Sequence, residues 1–233
     1  MKKKYRTLLF DIDDTLLDFG MAENAALEKL FSTMEGIELT DTVKQDYKEF
    51  NQPLWKMMEQ GKLSRERLLS TRFTEFFKHE FGMNVDNDKM SKKYLLYLAQ
   101  GHQEISGARD LLEELHKQSF ELFIVTNGIE SVQTKRLADS HFDTYFTNVF
   151  ISEQTGYQKP KKEFFNYVFN NISDFENDKS LIIGDSLTSD IAGGINAGID
   201  TMWFNPRYKK NLTKYMPNYT VHSLSEIKRQ LNN

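Results

Sequence analysis

Asp11 and Asp13 stand two residues apart in the run Asp11–Ile12–Asp13–Asp14–Thr15. In an extended chain this spacing aims both carboxylates to one side while Ile12 packs the other way. Two carboxylates so close repel each other unless a cation lies between them or one binds a proton. Both remedies suit phosphoryl transfer. Mg2+ would keep Asp11 ionised as a nucleophile, and a protonated Asp13 could serve as an acid.

Other stretches carry related chemistry. Thr126–Asn127–Gly128 supplies a hydroxyl, an amide and a flexible backbone where a helix is predicted to begin, and N–H groups at such a point attract anions. The same tripeptide also reads as a plain strand-to-helix turn. Lys159, before Pro160, could neutralise charge on a transferring phosphoryl group, although a lone lysine there is ordinarily a loop residue. In Gly184–Asp185–Ser186–Leu187–Thr188–Ser189–Asp190, Asp185 is suited to ligate a hard cation. Asp190 could hold a metal-bound water, steady Lys159, or simply cap a helix.

Positioning these groups requires elements that end at one place. The apolar runs TLLF (7–10), LFIV (122–125) and LII (181–183), with weaker ones at 148–151 and 201–204, are short enough for strands buried on both faces. Helical periodicity separates them at 108–118, 131–140, 161–171 and 188–197. This alternation predicts an α/β fold with a doubly wound parallel, Rossmann-like sheet. TLLF, LFIV and LII each end directly in the polar residues just named, and parallel strands deliver such residues to one carboxyl edge.

A different texture runs from about residue 21 to 100, with apolar residues at helical spacing and no convincing strand. Pro53 and the neighbourhoods of Gly61 and Gly82 punctuate it, and the stretch 101–107 reads as a connector. The expected division is a core of residues 1–17 and 101–233 with an all-helical insert at 18–100. Phe19, Phe50, Trp55, Met57, Met58 and Phe73, with Arg65 and Arg72 nearby, could stack a nucleobase, but aromatic and Met residues at helical spacing are more often core.

Composition narrows the field. A formal net charge of −4 offers no basic field for a nucleic acid polymer or an anionic membrane, and the Lys2–Lys4 run is local. There are no cysteines, which removes disulfides, thiolate nucleophiles and cysteine-bound zinc. The apolar stretch interrupted by Asp11 is too short for a secretory signal or membrane span, so a cytoplasmic location is expected. The scattered histidines have no paired metal-ligand spacing, the glycines at 192–198 lack dinucleotide-binding spacing, and no P-loop occurs.

Taken in order, DIDDT at 11–15, TNG at 126–128, Lys159–Pro160 and GDSLTSD at 184–190 resemble the haloacid dehalogenase superfamily of hydrolases, in its phosphatase branch. The resemblance spans nearly the whole chain and implies a C1 cap for the helical insert. It implies Asp11 as nucleophile and Mg2+ ligand, and Asp13 as acid then base, with its backbone carbonyl on the metal. Thr126, with Asn127, would bind the phosphoryl group, Lys159 would stabilise charge on nucleophile and phosphate, and Asp185 would ligate Mg2+. The insert's size, ISEQTGYQKP at 151–160 and WFN at 203–205 look most like the pyrimidine 5′-nucleotidase subgroup, implying a nucleoside 5′-monophosphate as substrate. A general sugar-phosphate or phosphoglycolate-type phosphatase is the alternative. Asp13 argues against dehalogenation, whereas a phosphosugar mutase carries both aspartates. A catalytically silent binding protein on this fold would lack one of Asp11, Asp13, Lys159 or Asp185, and none is missing.

Overall fold

The computed structural model describes residues 4–232, so Lys2 and Lys3 of the basic run lie outside the described residues. The apolar runs form parallel strands: β1 (Thr7–Phe10), β2 (Glu121–Thr126), β3 (Asn148–Ile151), β4 (Ser180–Gly184) and β5 (Asp200–Phe204), with a short β6 (Tyr219–Val221). Their order is β3-β2-β1-β4-β5-β6, and every pair is parallel. Alternate residues of each strand feed opposite faces. Leu8, Phe10, Leu122, Ile124, Leu181, Ile183 and Met202 join one apolar cluster. Leu9, Phe123, Val125 and Ile182 join the other. Burial on both faces explains why these strands read as continuous apolar runs rather than alternating ones.

The helices, in chain order, are α1 (Phe19–Phe31), α2 (Asp41–Glu59), α3 (Arg65–Phe81), α4 (Asn87–Leu98), α5 (Ala108–Lys117), α6 (Glu130–Ser140), the single turn α7 (Ser152–Thr155), α8 (Lys162–Asn170), α9 (Ala192–Ala197) and α10 (Leu224–Asn232). Leu111, Leu112 and Leu115 of α5 and Leu224, Ile227 and Leu231 of α10 cover one side of the sheet. Phe164, Phe165 and Val168 of α8 cover the other. The stretch expected as one helix at 188–197 is instead a π-type turn at Leu187–Ile191 followed by α9.

The chain divides into two compact units, Met1–Phe19 with His102–Asn233, and Gly20–Gly101. The crossing strands of chain are paired in the first unit: the N–H of Asp18 donates to Gln103 O at 2.8 Å, and that of Ile105 to Leu16 O at 2.9 Å. In the helical unit, Thr40, Ser64 and Asp86 cap α2, α3 and α4 by accepting from backbone N–H groups. Pro53 does not interrupt the pattern as expected; α2 runs through it, with the ring on an exposed position. Phe73 and Met58 are core residues, and Phe73 stacks on Tyr47 with centroids 5.8 Å apart. Arg72 is buried with its guanidinium over the Phe73 and Tyr94 rings.

Candidate active site

β1 lies where the strand order reverses, with β2 and β3 to one side and β4 to β6 to the other. In open α/β sheets, ligands bind outside the carboxyl ends of the strands at such a point. Asp11 is the first residue past β1, and its N–H donates to Ile183 O at 3.0 Å. Phe10 is level with Ile124 and Ile183, so β2 runs on to Thr126 and β4 to Gly184 beside Asp11.

Lys159 enters this rim from the segment after α7. It is 1% exposed, and its Nζ donates to Asp11 Oδ1 at 2.7 Å, Asp190 Oδ1 at 2.7 Å and Val125 O at 2.6 Å. An ammonium has three protons, and all are used. Burial works against the charge, but the Asp11 and Asp190 carboxylates outweigh it and hold the Lys159 pKa above its ordinary value. Asp190 reaches this position because residue 184 is glycine: a Cβ there would sit 2.2 Å from Asp190 Oδ2. That oxygen accepts from the Ser186 N–H at 3.0 Å, so Asp190 both steadies Lys159 and ties down the turn.

The negative charge here exceeds what one lysine balances. Asp11, Asp185 and Asp190 each offer a carboxylate oxygen, all within 4.8 Å of one another. Burial, together with the neighbouring carboxylates of Asp190 and Asp13, pushes Asp11 up to about 8 against the pull of Lys159. Burial first, then Asp190 and Asp11, raises Asp185 well above the carboxylate range. Oxygen donors lacking a counter-charge fit a hard divalent cation such as Mg2+. Asp11 and Asp185 would hold it directly, beside Asp190.

A consequence for stability follows from the Asp11 shift. Its folded pKa lies above the unfolded value of 3.8, so between pH 4 and about 8 the native state binds more protons than the unfolded chain. Asp11 therefore makes the metal-free protein less stable as pH rises through that window. A cation competing for the same oxygens should reverse this loss. The thermal midpoint gained on adding Mg2+ over EDTA should widen from pH 5 to pH 8, and a gain that shrinks would contradict the assignment.

Asp13 and Thr126 meet through a residue that sequence reasoning did not single out. Gln133 Nε2, on α6, donates to Asp13 Oδ2 at 2.7 Å and to Thr126 Oγ1 at 3.1 Å. Arg136 pairs with Asp13 Oδ1 from the same helix. Thr126 Oγ1 also accepts from the Gly128 N–H at 3.0 Å. With two bonds accepted, the Thr126 hydroxyl keeps its own proton to donate, which suits a phosphoryl oxygen. Gly128 is required because a Cβ there would lie 2.2 Å from Gln133 Nε2.

The Asn127 amide ties two segments of the rim together. Its Nδ2 donates to Lys159 O at 2.9 Å and Ser189 Oγ at 3.2 Å, and its Oδ1 accepts from Lys159 N–H at 2.9 Å. Asn127 thus clamps the lysine segment through its side-chain amide. Asp185 lines a pocket with Asp14, Asn205, Arg207 and Lys209, and its carbonyl accepts from the Trp203 indole at 2.8 Å. Asn205 clasps the Lys209 backbone in both directions, so WFN acts as scaffold for this wall.

An acid-lined rim at the switch point of a parallel sheet, with the buried Lys159 among its carboxylates, marks a ligand site of an α/β protein suited to a cation and an anion together. Residues 8–204 match the haloacid dehalogenase-like hydrolase family, and the chain belongs to it. The HAD-hydrolase YfnB of Bacillus subtilis is 49% identical over 99% of this chain and 97% of its own. Its crystal structure, described as bound to magnesium and revealing interdomain movement, superposes with a TM-score of 0.93 at 48% identity, covering 99% of this chain and 100% of that one. The pyrimidine 5′-nucleotidase PynA of Streptococcus pneumoniae is 45% identical over 96% of this chain and 93% of its own. The pyrimidine 5′-nucleotidase YjjG of Escherichia coli is 30% identical over 98% of each. The resemblance carried by the four motifs is thereby borne out, and the protein is an enzyme of this hydrolase family. No helix among the described residues is long and apolar enough to cross a membrane.

Proposed function

We propose that this enzyme is a Mg2+-dependent phosphatase that hydrolyses a nucleoside 5′-monophosphate through an aspartyl-phosphate on Asp11. The observation that carries this reading is the buried Lys159 ammonium, held between Asp11 and Asp190 beside Asp185. Such a site neutralises charge at a transferring phosphoryl group while keeping its nucleophile fixed. The similarity to PynA and YjjG supports the nucleotide as substrate.

Asp11 attacks phosphorus, forming the Asp11–phosphorus bond as the bond to the leaving alkoxide breaks. Asp13 gives that alkoxide its proton, so an alcohol departs. Asp13 then takes a proton from water, which attacks the phosphorus, frees Asp11 and releases inorganic phosphate. Throughout, Thr126 donates to a phosphoryl oxygen, and Lys159 holds the Asp11 carboxylate and offsets its charge. The metal, when bound by Asp11 and Asp185 with the Asp13 carbonyl, supplies electrostatic stabilisation of the phosphoryl oxygens. The helical insert serves as the family's cap.

A phosphate-release panel tests the reading. Pyrimidine nucleoside 5′-monophosphates should give the highest kcat/KM, ahead of hexose phosphates and phosphoglycolate, and EDTA should abolish turnover. A preference for sugar phosphates would overturn the nucleotidase assignment. Isomerisation of a hexose 1-phosphate without phosphate release would replace it with a mutase.

A further inference from the structure

The inward face of α6 carries two polar side chains where a helix against a sheet normally presents apolar ones. Gln133 is 1% exposed and Arg136 is fully buried, three residues apart and so on one face. A buried guanidinium is costly unless it is paired, and an apolar residue of similar size would usually serve packing equally well. The partner of Arg136 is Asp13, whose side chain stays partly open to solvent.

We propose that Gln133 and Arg136 are positioning residues for the acid–base step, fixing the Asp13 carboxylate and locking it in register with Thr126. The inference deepens the function above and rests on Asp13 being its acid and base. Arg136 takes Oδ1 of Asp13 and Gln133 takes Oδ2, so rotation about the side chain is blocked at both oxygens. Each oxygen keeps a second lone pair for the proton in transit. Gln133 Oε1 accepts from Arg136 Nη1 at 3.2 Å, which decides the orientation of the amide. Reversed, it would set an oxygen against a carboxylate. So oriented, the same Nε2 reaches Thr126 Oγ1 and turns that hydroxyl's proton outward. One amide therefore aligns the proton donor for the leaving group with a hydrogen-bond donor for the phosphoryl group.

Leaving-group dependence separates this role from a purely structural one. The parameter kcat/KM reports steps up to phosphoryl transfer, where an alkoxide needs a proton and 4-nitrophenolate does not. Gln133→Leu and Arg136→Met should lose about 100-fold in kcat/KM on uridine 5′-monophosphate, at the lower end of general-acid contributions. The loss on 4-nitrophenyl phosphate should be about 10-fold smaller for each, since there only the Thr126 alignment by Gln133 is still felt, with Arg136→Lys recovering part of the loss. Ribose 5-phosphate replaces the nucleotide if nucleotides are inert, so failure of the substrate assignment stays separate. Circular dichroism checks folding, and near-isosteric Gln133→Leu carries the test if Arg136→Met does not fold. Equal losses on both esters, or none, while Asp13→Asn remains selective, would overturn the inference. An Asp13→Asn variant without selectivity would instead remove the acid–base reading, and the inference with it.

Discussion

Asp11→Asn will release no phosphate above background while making the metal-free protein harder to melt. In the proposed mechanism Asp11 is the nucleophile, and removing it costs about 10⁵-fold or more, because the remaining groups have nothing to assist. Asparagine matches aspartate in size and can still receive the Lys159 proton now given to Oδ1, so the loss would come from chemistry rather than shape. The gain in stability has a separate origin. Asp11 is buried among carboxylates and its pKa is pushed up to about 8, so near pH 8 the native state holds a charge that the site does not balance without metal. A neutral amide removes that cost. Phosphate release checks the loss of turnover, mass spectrometry of acid-quenched enzyme should find a covalent phosphate on the wild type and none on the variant, and thermal unfolding in EDTA checks the gain in stability. Residual activity above about 1% would exclude Asp11 as nucleophile.

The fold was legible in the sequence where burial is two-sided. Strands covered on both faces have no solvent side to carry polar residues, so TLLF, LFIV and LII stand out, and the polar residue closing each one marks the rim. β6 escaped because three residues make no pattern, although Leu224, Ile227 and Leu231 of α10 beside it do have helical spacing. Pro53 misled because a proline on the outer side of a long helix removes one hydrogen bond without ending it. At the site, motif residues that touch the rim were readable from strand ends. Gln133 and Arg136 were not, because a polar residue in an amphipathic helix ordinarily marks the solvated face, and only the packing of α6 turns them inward. The clamp that the Asn127 side chain makes on the segment returning at residue 159 has no signal in the sequence, because the two stretches lie 32 residues apart and only the fold brings them together.

Lys159→Met will separate the two tasks of the buried ammonium. In the proposed mechanism its catalytic task is electrostatic, and losing one preorganised charge of this kind costs about 10²- to 10³-fold in kcat, or roughly 3–4 kcal/mol. Its structural task is to be the counter-charge for Asp190, which is 1% exposed, and for Asp11. Methionine fills the space but leaves these carboxylates buried without it, and breaking such a pair from one side costs about 3–5 kcal/mol. The metal-free variant should therefore melt well below the wild type, and Mg2+ should recover part of the difference by supplying charge to Asp11. Arginine should rescue little, because the three acceptors at 2.6–2.7 Å surround a single nitrogen, and a planar guanidinium cannot meet all of them from one atom. Adding Asp190→Asn to Lys159→Met removes one stranded carboxylate, so stability should return while kcat stays low. If both returned together, the lysine would be acting on turnover only through the fold, and its electrostatic role would be lost.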